Sequence, residues 1–269
     1  MSIIIPIVAV TVIGIVCGVM LVVASKFMAV PEDEKFVAVR ECLPGANCGA
    51  CGYAGCDGYA HALADGDVTE TTLCVPGGAD AAAGVAAALG LEAGEVVKKV
   101  AYVACCGDSQ NVQPRHEYMG IKSCSAAELL FAGDTACPFG CLGYGDCAAV
   151  CPQNAIYIRD GLARINAKLC VGCGMCAKVC PNHLIHIVSA TVKYIVGCSN
   201  QDKGAVTRKA CKIGCIGCKK CERECPAGAI KVVNNLAVID YEKCTNCGHC
   251  KEICTTGCIK ETNFQSFDW

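Results

Sequence analysis

Regularly spaced cysteines are the residues of this sequence best suited to chemistry. The chain holds 28 cysteines among 269 residues. One run, CIGCKKCEREC at 215–225, is followed by Pro226 and has the spacing C-x2-C-x2-C-x3-C-P, whose thiolates bind [4Fe–4S] clusters. A single zinc ion needs only four ligands in a tetrahedron, and these closely spaced runs exceed that need. The spacing therefore predicts iron–sulfur clusters.

The cysteine pattern beyond residue 120 is duplicated at an offset of 74 residues, as from Cys141 to Cys215. Recurrence of many cysteines at one offset indicates a repeated structural unit. Each copy has two cysteine runs separated by short apolar segments that predict β-strands. These segments are 155–158, 163–166, 229–233 and 236–240. The pattern predicts two tandem two-cluster ferredoxin-like units.

Three of the four clusters in these units have complete motifs. Within a motif, three thiolates bind one cube and the fourth binds the other cube. The predicted ligand sets are Cys215, Cys218, Cys221 and Cys254; Cys225, Cys244, Cys247 and Cys250; and Cys151, Cys170, Cys173 and Cys176.

The remaining cluster of the first unit lacks one ligand, because Tyr144 stands where the motif requires a cysteine. Its other predicted ligands are Cys141, Cys147 and Cys180. Cys137 is the nearest spare cysteine, and closing so short a loop costs little entropy. We predict that Cys137 completes this cube; a three-iron cluster without a fourth thiolate is the alternative.

A separate cysteine arrangement, NCGACGYAGC, occupies residues 47–56. Its glycines allow backbone N–H groups to approach sulfur closely. We predict one more [4Fe–4S] cluster here, with zinc as the alternative. The predicted ligands are Cys48, Cys51, Cys56 and Cys74.

A sixth cluster is a further candidate beyond these five. The segment 102–110, YVACCGDSQ, resembles the segment 194–202, YIVGCSNQD. This likeness pairs Cys106 with Cys198 and leaves Cys105 as an accompanying thiol. Four buried apolar thiols are the alternative. The candidate ligands are Cys106, Cys124, Cys198 and Cys211.

The segment 3–24 carries no charged residue. About 20 apolar residues span a bilayer, so the segment predicts one transmembrane helix. A signal peptide is the alternative, although the segment lacks a basic leader. The nearest positive charges, Lys26, Lys35 and Arg40, all follow it, which places the rest of the chain in the cytoplasm. That compartment is reducing, as free thiolates require.

The predicted fold class is α+β, in four parts. They are a transmembrane anchor at 1–26, a glycine-rich [4Fe–4S] module at 27–100, and ferredoxin-like units at 101–190 and 191–269. The net charge of −2 gives no reason to expect a nucleic-acid partner. No dinucleotide-binding fingerprint occurs with its strand and helix context, so we expect no substrate site on this chain.

These features together resemble the B subunit of the Rnf complex in its clostridial form. The likeness rests on the apolar N-terminus, LPGANCGACGYAGC at 43–56, Cys74 with the following PGG, and the ferredoxin motifs. It implies an iron–sulfur electron-transfer subunit of an ion-translocating ferredoxin:NAD oxidoreductase at the cytoplasmic membrane. The implied partners are soluble ferredoxin and the other subunits, which carry the flavins and the NAD site. The alternative is a membrane-anchored polyferredoxin serving a hydrogenase or a corrinoid-linked enzyme.

Charge is unevenly distributed along the chain. Residues 203–231 contain eight basic side chains and two acidic ones. A solvated surface is one interpretation, and steering of acidic ferredoxin toward this unit is the other.

Overall fold

Short helices and two-stranded sheets make up the computed structural model, which describes residues 4–27, 33–130, 132–262 and 264. The helices in these ranges are α1 (Ile4–Phe27), α2 (Glu34–Cys42), α3 (Gly55–Ala64), α4 (Gly78–Leu89), α5 (Cys124–Glu128), α6 (Asp146–Ala149), α7 (Met175–Val179), α8 (Gly204–Ala210), α9 (Lys220–Arg223) and α10 (His249–Glu252). The strands are β1 (Lys99–Val103), β2 (Ile156–Arg159), β3 (Leu162–Ile165), β4 (Ile185–Ser189), β5 (Tyr194–Val196), β6 (Ile230–Val233), β7 (Leu236–Ile239) and β8 (Ile259–Glu261). This mixed content agrees with the predicted α+β class.

The predicted transmembrane span at 3–24 is not found. Among the residues that the structure describes, no helix is both long and apolar enough to cross a membrane. The helix in this part of the chain, α1, continues past the predicted span to Phe27.

Helices α2, α3 and α4 enclose the core of the glycine-rich module. Val39, Tyr59 and Val85 are buried there, and the Tyr59 hydroxyl donates to the Glu70 carbonyl at 2.6 Å. A Cβ on Gly84 would lie 2.9 Å from the Cys42 sulfur, so α4 needs glycine where α2 approaches it. The Cys42 thiol therefore serves packing between these two helices.

The four predicted strands appear as two hairpins, β2 with β3 and β6 with β7. The turn residues Asp160 and Gly161 have φ of 52° and 73°, and Asn234 and Asn235 have φ of 49° and 62°. Two consecutive positive φ angles are typical of the type I′ turn, which Asn, Asp and Gly adopt most readily. The turn chemistry thus explains why both copies form the same tight hairpin.

The outer strands pair across each unit, β1 with β4 and β5 with β8. Val103 lies opposite Ile185 and Val196 lies opposite Ile259. Because Ile185 and Ile259 correspond in the duplication, Val103 corresponds to Val196. The strand register therefore pairs Cys105 with Cys198, one residue away from the match that sequence likeness suggested for Cys106.

The two ferredoxin-like units share one buried apolar cluster. Ile195 and Phe264 of the second unit belong to the same cluster as Val100, Leu162 and Leu184 of the first. Buried apolar side chains are packed at close to crystalline density, so such a shared core restricts relative movement of the units. Cysteines from both units can therefore be held in fixed mutual positions.

Glycine at 217 is required by a close backbone approach, which makes a stability prediction. Gly217 has φ +64°, and a Cβ there would lie 2.8 Å from the Asn235 carbonyl oxygen; Gly228 has φ +59° with nothing within 4 Å. Holding alanine in a left-handed conformation costs about 1–2 kcal/mol at either site. We expect Gly217→Ala to lower the anaerobic thermal midpoint more than Gly228→Ala does. Equal decreases would contradict a role for the close approach.

Candidate metal centres

The four predicted cysteines of the glycine-rich module surround one cavity of about 300 Å³. Cys56 lies in the first turn of α3, and its N–H donates to the Asn47 side-chain oxygen at 2.8 Å. This hydrogen bond ties the cysteine-bearing loop to the helix. The cavity is lined by Cys48, Cys51, Cys56 and Cys74.

Backbone donors at this cavity act against the cost of burying a thiolate. Burial raises the pKa of the Cys74 thiol, and a hydrogen bond from the Gly77 N–H partly opposes that rise. A Cβ on Gly77 would lie only 3.1 Å from the Cys74 sulfur. Glycine thus allows the backbone to reach a sulfur that a side chain would crowd.

Two further cavities match the regular ferredoxin motifs, one in each unit. Their volumes are about 340 Å³ in the first unit and about 320 Å³ in the second. In both, three cysteines come from one motif and the fourth comes from the other motif. The first is lined by Cys151, Cys170, Cys173 and Cys176, and the second by Cys225, Cys244, Cys247 and Cys250.

The other predicted set of the second unit is also gathered around one place. Burial raises the pKa of Cys221 to about 11, and the charges of Cys215, Cys218 and Cys254 raise it further. A buried fifth thiol, Cys258, has its sulfur 3.7 Å from that of Cys254. Its hydrogen bond lowers the pKa of Cys254 to about 4, which favours the thiolate that a cluster needs.

Cys124 takes the place that Tyr144 leaves without a thiolate in the first unit. The cavity there has a volume of about 370 Å³, and Cys137, predicted as its fourth cysteine, does not line it. Burial, followed by the charges of neighbouring cysteines that include Cys124, raises the pKa of Cys147 to about 12. The lining cysteines are Cys124, Cys141, Cys147 and Cys180.

Asp146 explains why the distant Cys124 reaches this cavity. Its carboxylate accepts the Cys124 N–H at 2.9 Å, the Ser125 N–H at 3.0 Å and the Ser123 hydroxyl at 2.9 Å. These bonds fix the start of α5 beside Cys147, the residue after Asp146. Sequence reasoning favoured the nearest cysteine because no local motif signals this long-range cap.

Tyr144 itself points to another partner. Its hydroxyl donates to the Asp134 carboxylate at 2.7 Å, and its ring lies 5.6 Å from that of Tyr118. Cys137 instead shares a buried cluster with Val112, Ala210 and Cys211. The cysteine nearest in sequence therefore faces the second unit.

The residues predicted for a sixth cluster do not meet as a set. Cys124 lines the first-unit cavity, and the Cys106 sulfur packs against Gly197. Cys198 and Cys211 both have Cys137 as a charged neighbour that raises their pKa after burial has done so. The structure thus replaces Cys124 by Cys137 near these two thiols.

The donor sets fit a multi-iron cube better than a single zinc ion. In the described ranges, no group of three or more His, Cys, Asp or Glu side chains could hold one metal ion. A zinc ion would draw its sulfurs to about 2.3 Å from one centre. Instead, four sets of cysteines surround cavities of similar volume, between about 300 and 370 Å³. Similar cavities indicate that each set binds the same kind of larger group.

The glycine-rich module and the first ferredoxin-like unit bring two of these cavities together. The Lys178 ammonium donates to the Cys48 carbonyl at 3.4 Å. Burial raises the pKa of Cys173, and the nearby charge of Cys48 adds to the rise. Cys48 and Cys173 line different cavities, so electron transfer between bound clusters would cross a short distance.

Known protein families match the cysteine-rich part of the chain. An Fe-S cluster family matches residues 43–76, and the LdpA Fe-S cluster-binding domain matches residues 137–191. Two 4Fe-4S dicluster domain models match residues 169–230 and 209–255. The matches fall on the glycine-rich module and on both ferredoxin-like units.

Three curated relatives, each the B subunit of a membrane redox complex, align with most of the chain. That of the Na(+)-translocating ferredoxin:NAD(+) oxidoreductase complex of Acetobacterium woodii is 42% identical, over 90% of this chain and 73% of that protein. That of the proton-translocating ferredoxin:NAD(+) oxidoreductase complex of Clostridium ljungdahlii is 44% identical, over 91% and 87%. That of the ion-translocating oxidoreductase complex of Methanosarcina acetivorans is 40% identical, over 86% and 88%.

Single substitutions can test whether Cys124 or Cys137 belongs with Cys147. We expect Cys124→Ala and Cys147→Ala to alter the same component of the EPR spectrum of the dithionite-reduced protein, because both remove a thiolate from one cavity. Cys137→Ala should leave that component intact. If Cys137→Ala and Cys147→Ala instead altered one common component that Cys124→Ala spared, the placement of Cys124 would be wrong.

Proposed function

Because the chain belongs to the family of B subunits of ion-translocating ferredoxin:NAD oxidoreductases, the Rnf complexes, we propose that it relays electrons between ferredoxin and the other subunits of such a complex. [4Fe–4S] clusters, when bound, supply the one-electron chemistry. The observation that carries this proposal is the set of cavities of similar size, each surrounded by four cysteines. The residues of the chain position the clusters, shield them from water and donate hydrogen bonds to the sulfurs.

We assign five clusters to cysteine sets supported by the cavities and by mutual effects on thiol pKa. Four sets are those that the sequence predicts. The fifth has Cys124 in place of Cys137. The proposed sets are Cys48, Cys51, Cys56 and Cys74; Cys124, Cys141, Cys147 and Cys180; Cys151, Cys170, Cys173 and Cys176; Cys215, Cys218, Cys221 and Cys254; and Cys225, Cys244, Cys247 and Cys250.

Ion translocation and NAD reduction belong, in this proposal, to the complex as a whole. One relative is named for sodium and another for protons, while both are named for ferredoxin and NAD(+). The contribution of this chain is to conduct electrons, and the partner subunits would hold the NAD site and the ion path. Electron transfer then provides the driving force that the partners convert.

A basic surface on the second ferredoxin-like unit supports docking of acidic ferredoxin there. Cys218, a proposed cluster ligand, is exposed, and Lys219 follows it directly. The surrounding basic side chains form no ion pair with any residue that the structure describes. Their charge is therefore free to steer an acidic partner toward an accessible cluster. The basic surface consists of Lys203, Arg208, Lys209, Lys212, Lys219, Lys220, Arg223 and Lys231.

We further propose that α1 associates the chain with the membrane, with the cluster-bearing part in the cytoplasm. Its apolar side chains are exposed; Val10 and Leu21, for example, are each 71% exposed. Exposed apolar surface of this extent favours contact with lipid over contact with water. The nearest positive charges, Lys26, Lys35 and Arg40, follow the apolar segment, as the positive-inside rule requires for a cytoplasmic remainder.

Reduction by ferredoxin tests both the relay and the docking surface. We expect reduced ferredoxin to bleach the visible absorption of the anaerobically purified chain. Lys219→Glu with Lys220→Glu should slow this reaction at low ionic strength, and the difference should shrink at high salt because the Debye length falls to about 10 Å at 0.1 M. Lys122→Glu with Lys168→Glu changes the net charge equally and should have a smaller effect. Equal slowing by both pairs at low salt would argue against docking at the basic surface.

Removal of residues 1–25 tests the membrane association of α1. The truncated chain should remain brown and appear in the soluble fraction after cell lysis, whereas the full chain should sediment with membranes. Iron per protein should be the same in both forms, because no proposed ligand lies in the removed segment. A truncated chain that still sedimented with membranes in cells lacking the partner subunits would contradict this assignment.

A further inference from the structure

Cys105 and Cys198 occupy equivalent places just after β1 and β5. The Cys198 sulfur accepts the N–H of Cys215 at 3.2 Å. The Cys105 sulfur accepts the N–H of Cys141, the residue that corresponds to Cys215 in the duplication. The hydrogen bonds thus agree with the strand register in pairing these two thiols.

Each of these two thiols also has the backbone surroundings of a cluster ligand. Each accepts the N–H of the residue two positions further on, Gly107 in one case and Asn200, at 3.5 Å, in the other. Cys170, a proposed ligand, accepts the N–H of Gly172 in the same way, at 3.4 Å. Such N–H···S bonds stabilise the thiolate form and tune cluster potential.

Gly107 brings the sulfurs of Cys105 and Cys211 to one place. A Cβ on Gly107 would lie 3.3 Å from the Cys211 sulfur and 3.7 Å from the Cys105 sulfur. Both sulfurs therefore face the same small volume beside this glycine, although they come from different units. The space that a side chain would fill is left free between them.

Asn200 does the same for Cys137 and Cys198. Its side-chain amide donates to the Cys137 sulfur at 3.3 Å while its backbone N–H bonds the Cys198 sulfur. Asn200 is 1% exposed, and its side-chain oxygen accepts bonds from the Thr207 hydroxyl at 3.0 Å and the Asp202 N–H at 2.7 Å. The amide is thus held with its donor aimed at sulfur.

The four thiols have local twofold symmetry. Cys105 corresponds to Cys198 by strand register, and Cys137 corresponds to Cys211 by the offset of the duplication. Exchange of the units therefore converts the pair Cys105 and Cys211 into the pair Cys198 and Cys137. A cube has twofold axes, so its four iron corners suit this arrangement.

From this geometry we propose that Cys105, Cys137, Cys198 and Cys211 bind a sixth [4Fe–4S] cluster at the junction of the two ferredoxin-like units. The inference deepens the proposed function, on which it rests, because it supplies a cluster between the units. Cys106 is excluded: it corresponds to Ser199, whose hydroxyl bonds the Ala104 carbonyl at 2.9 Å.

The sixth cluster lies next to ligands of a cluster on each side. Cys141 donates its N–H to the Cys105 sulfur and is itself a ligand in the first unit. Cys215 donates to the Cys198 sulfur and is a ligand in the second unit. One electron leaving a reduced cube on one side reduces the sixth cube, which then passes it to the other side. Each step oxidises one cube as it reduces the next, and no atom is transferred.

Iron content of paired variants of the full chain tests this site. Cys105→Ala with Cys137→Ala should lose about four irons from about 24, together with one EPR component. Cys198→Ala with Cys211→Ala should lose the same component, and all four substitutions together should lose no more iron. The control Cys106→Ala should keep all the iron. A loss of about eight irons in the fourfold variant, or unchanged iron and spectrum in a folded paired variant, would overturn the proposal.

A subtler variant applies if the paired variants fail to fold. Asn200→Asp keeps the oxygen that Thr207 and Asp202 contact but replaces the donor to the Cys137 sulfur by negative charge. We expect iron content to stay unchanged while the reduction potential of one cluster falls and the others hold. If every potential stayed the same, the site would be refuted. Failure of the relay itself would look different, since the native chain would then not be reduced by ferredoxin.

Discussion

Four thiols must be held together in each cavity although burial and mutual repulsion oppose their ionised form. Burial, and then the charges of Cys170, Cys173 and Cys151, raise the pKa of Cys176 to about 12. Backbone N–H groups offset only part of this cost, as at Cys180, where the N–H groups of Asn182 and Leu184 lower a pKa that burial raises. A cationic iron core removes the remaining penalty. Folding and cluster binding are therefore coupled, as in other small metalloproteins.

This coupling explains how such short elements can be stable. Helices α6, α9 and α10 have four residues each. Isolated helices of that length are unstable in water. Each of the three lies within or beside a cysteine motif, and each is preceded by a residue with positive φ: Gly145, Lys219 and Gly248. The left-handed residue turns the chain so that ligand cysteines on both sides of it face one cavity, and the cavity replaces an apolar core.

Sequence alone predicted those features that one short segment determines. The strand predicted at 155–158 appears as Ile156–Arg159 and that at 236–240 as Leu236–Ile239, because alternating apolar residues and turn residues lie within each hairpin. What it missed depends on contacts between distant segments. Cys124 is placed by the carboxylate of Asp146, and the match of Cys105 to Cys198 is set by pairing of β1 with β4 and of β5 with β8. Neither interaction leaves a pattern within a single motif.

Divergence between the duplicated units gives them different surfaces. Cys218 of the second unit is exposed beside a basic surface, whereas its counterpart Tyr144 is half-buried and bonded to Asp134. In the first unit the fourth thiol comes from α5, whose N-terminus is bonded to Asp146. The corresponding cluster positions are thus open to an external protein in one unit and covered by the chain's own helix in the other. Because electron transfer between proteins requires close approach, a soluble donor has access to the second unit through Cys218, while the first unit is left to exchange electrons with the glycine-rich module next to it.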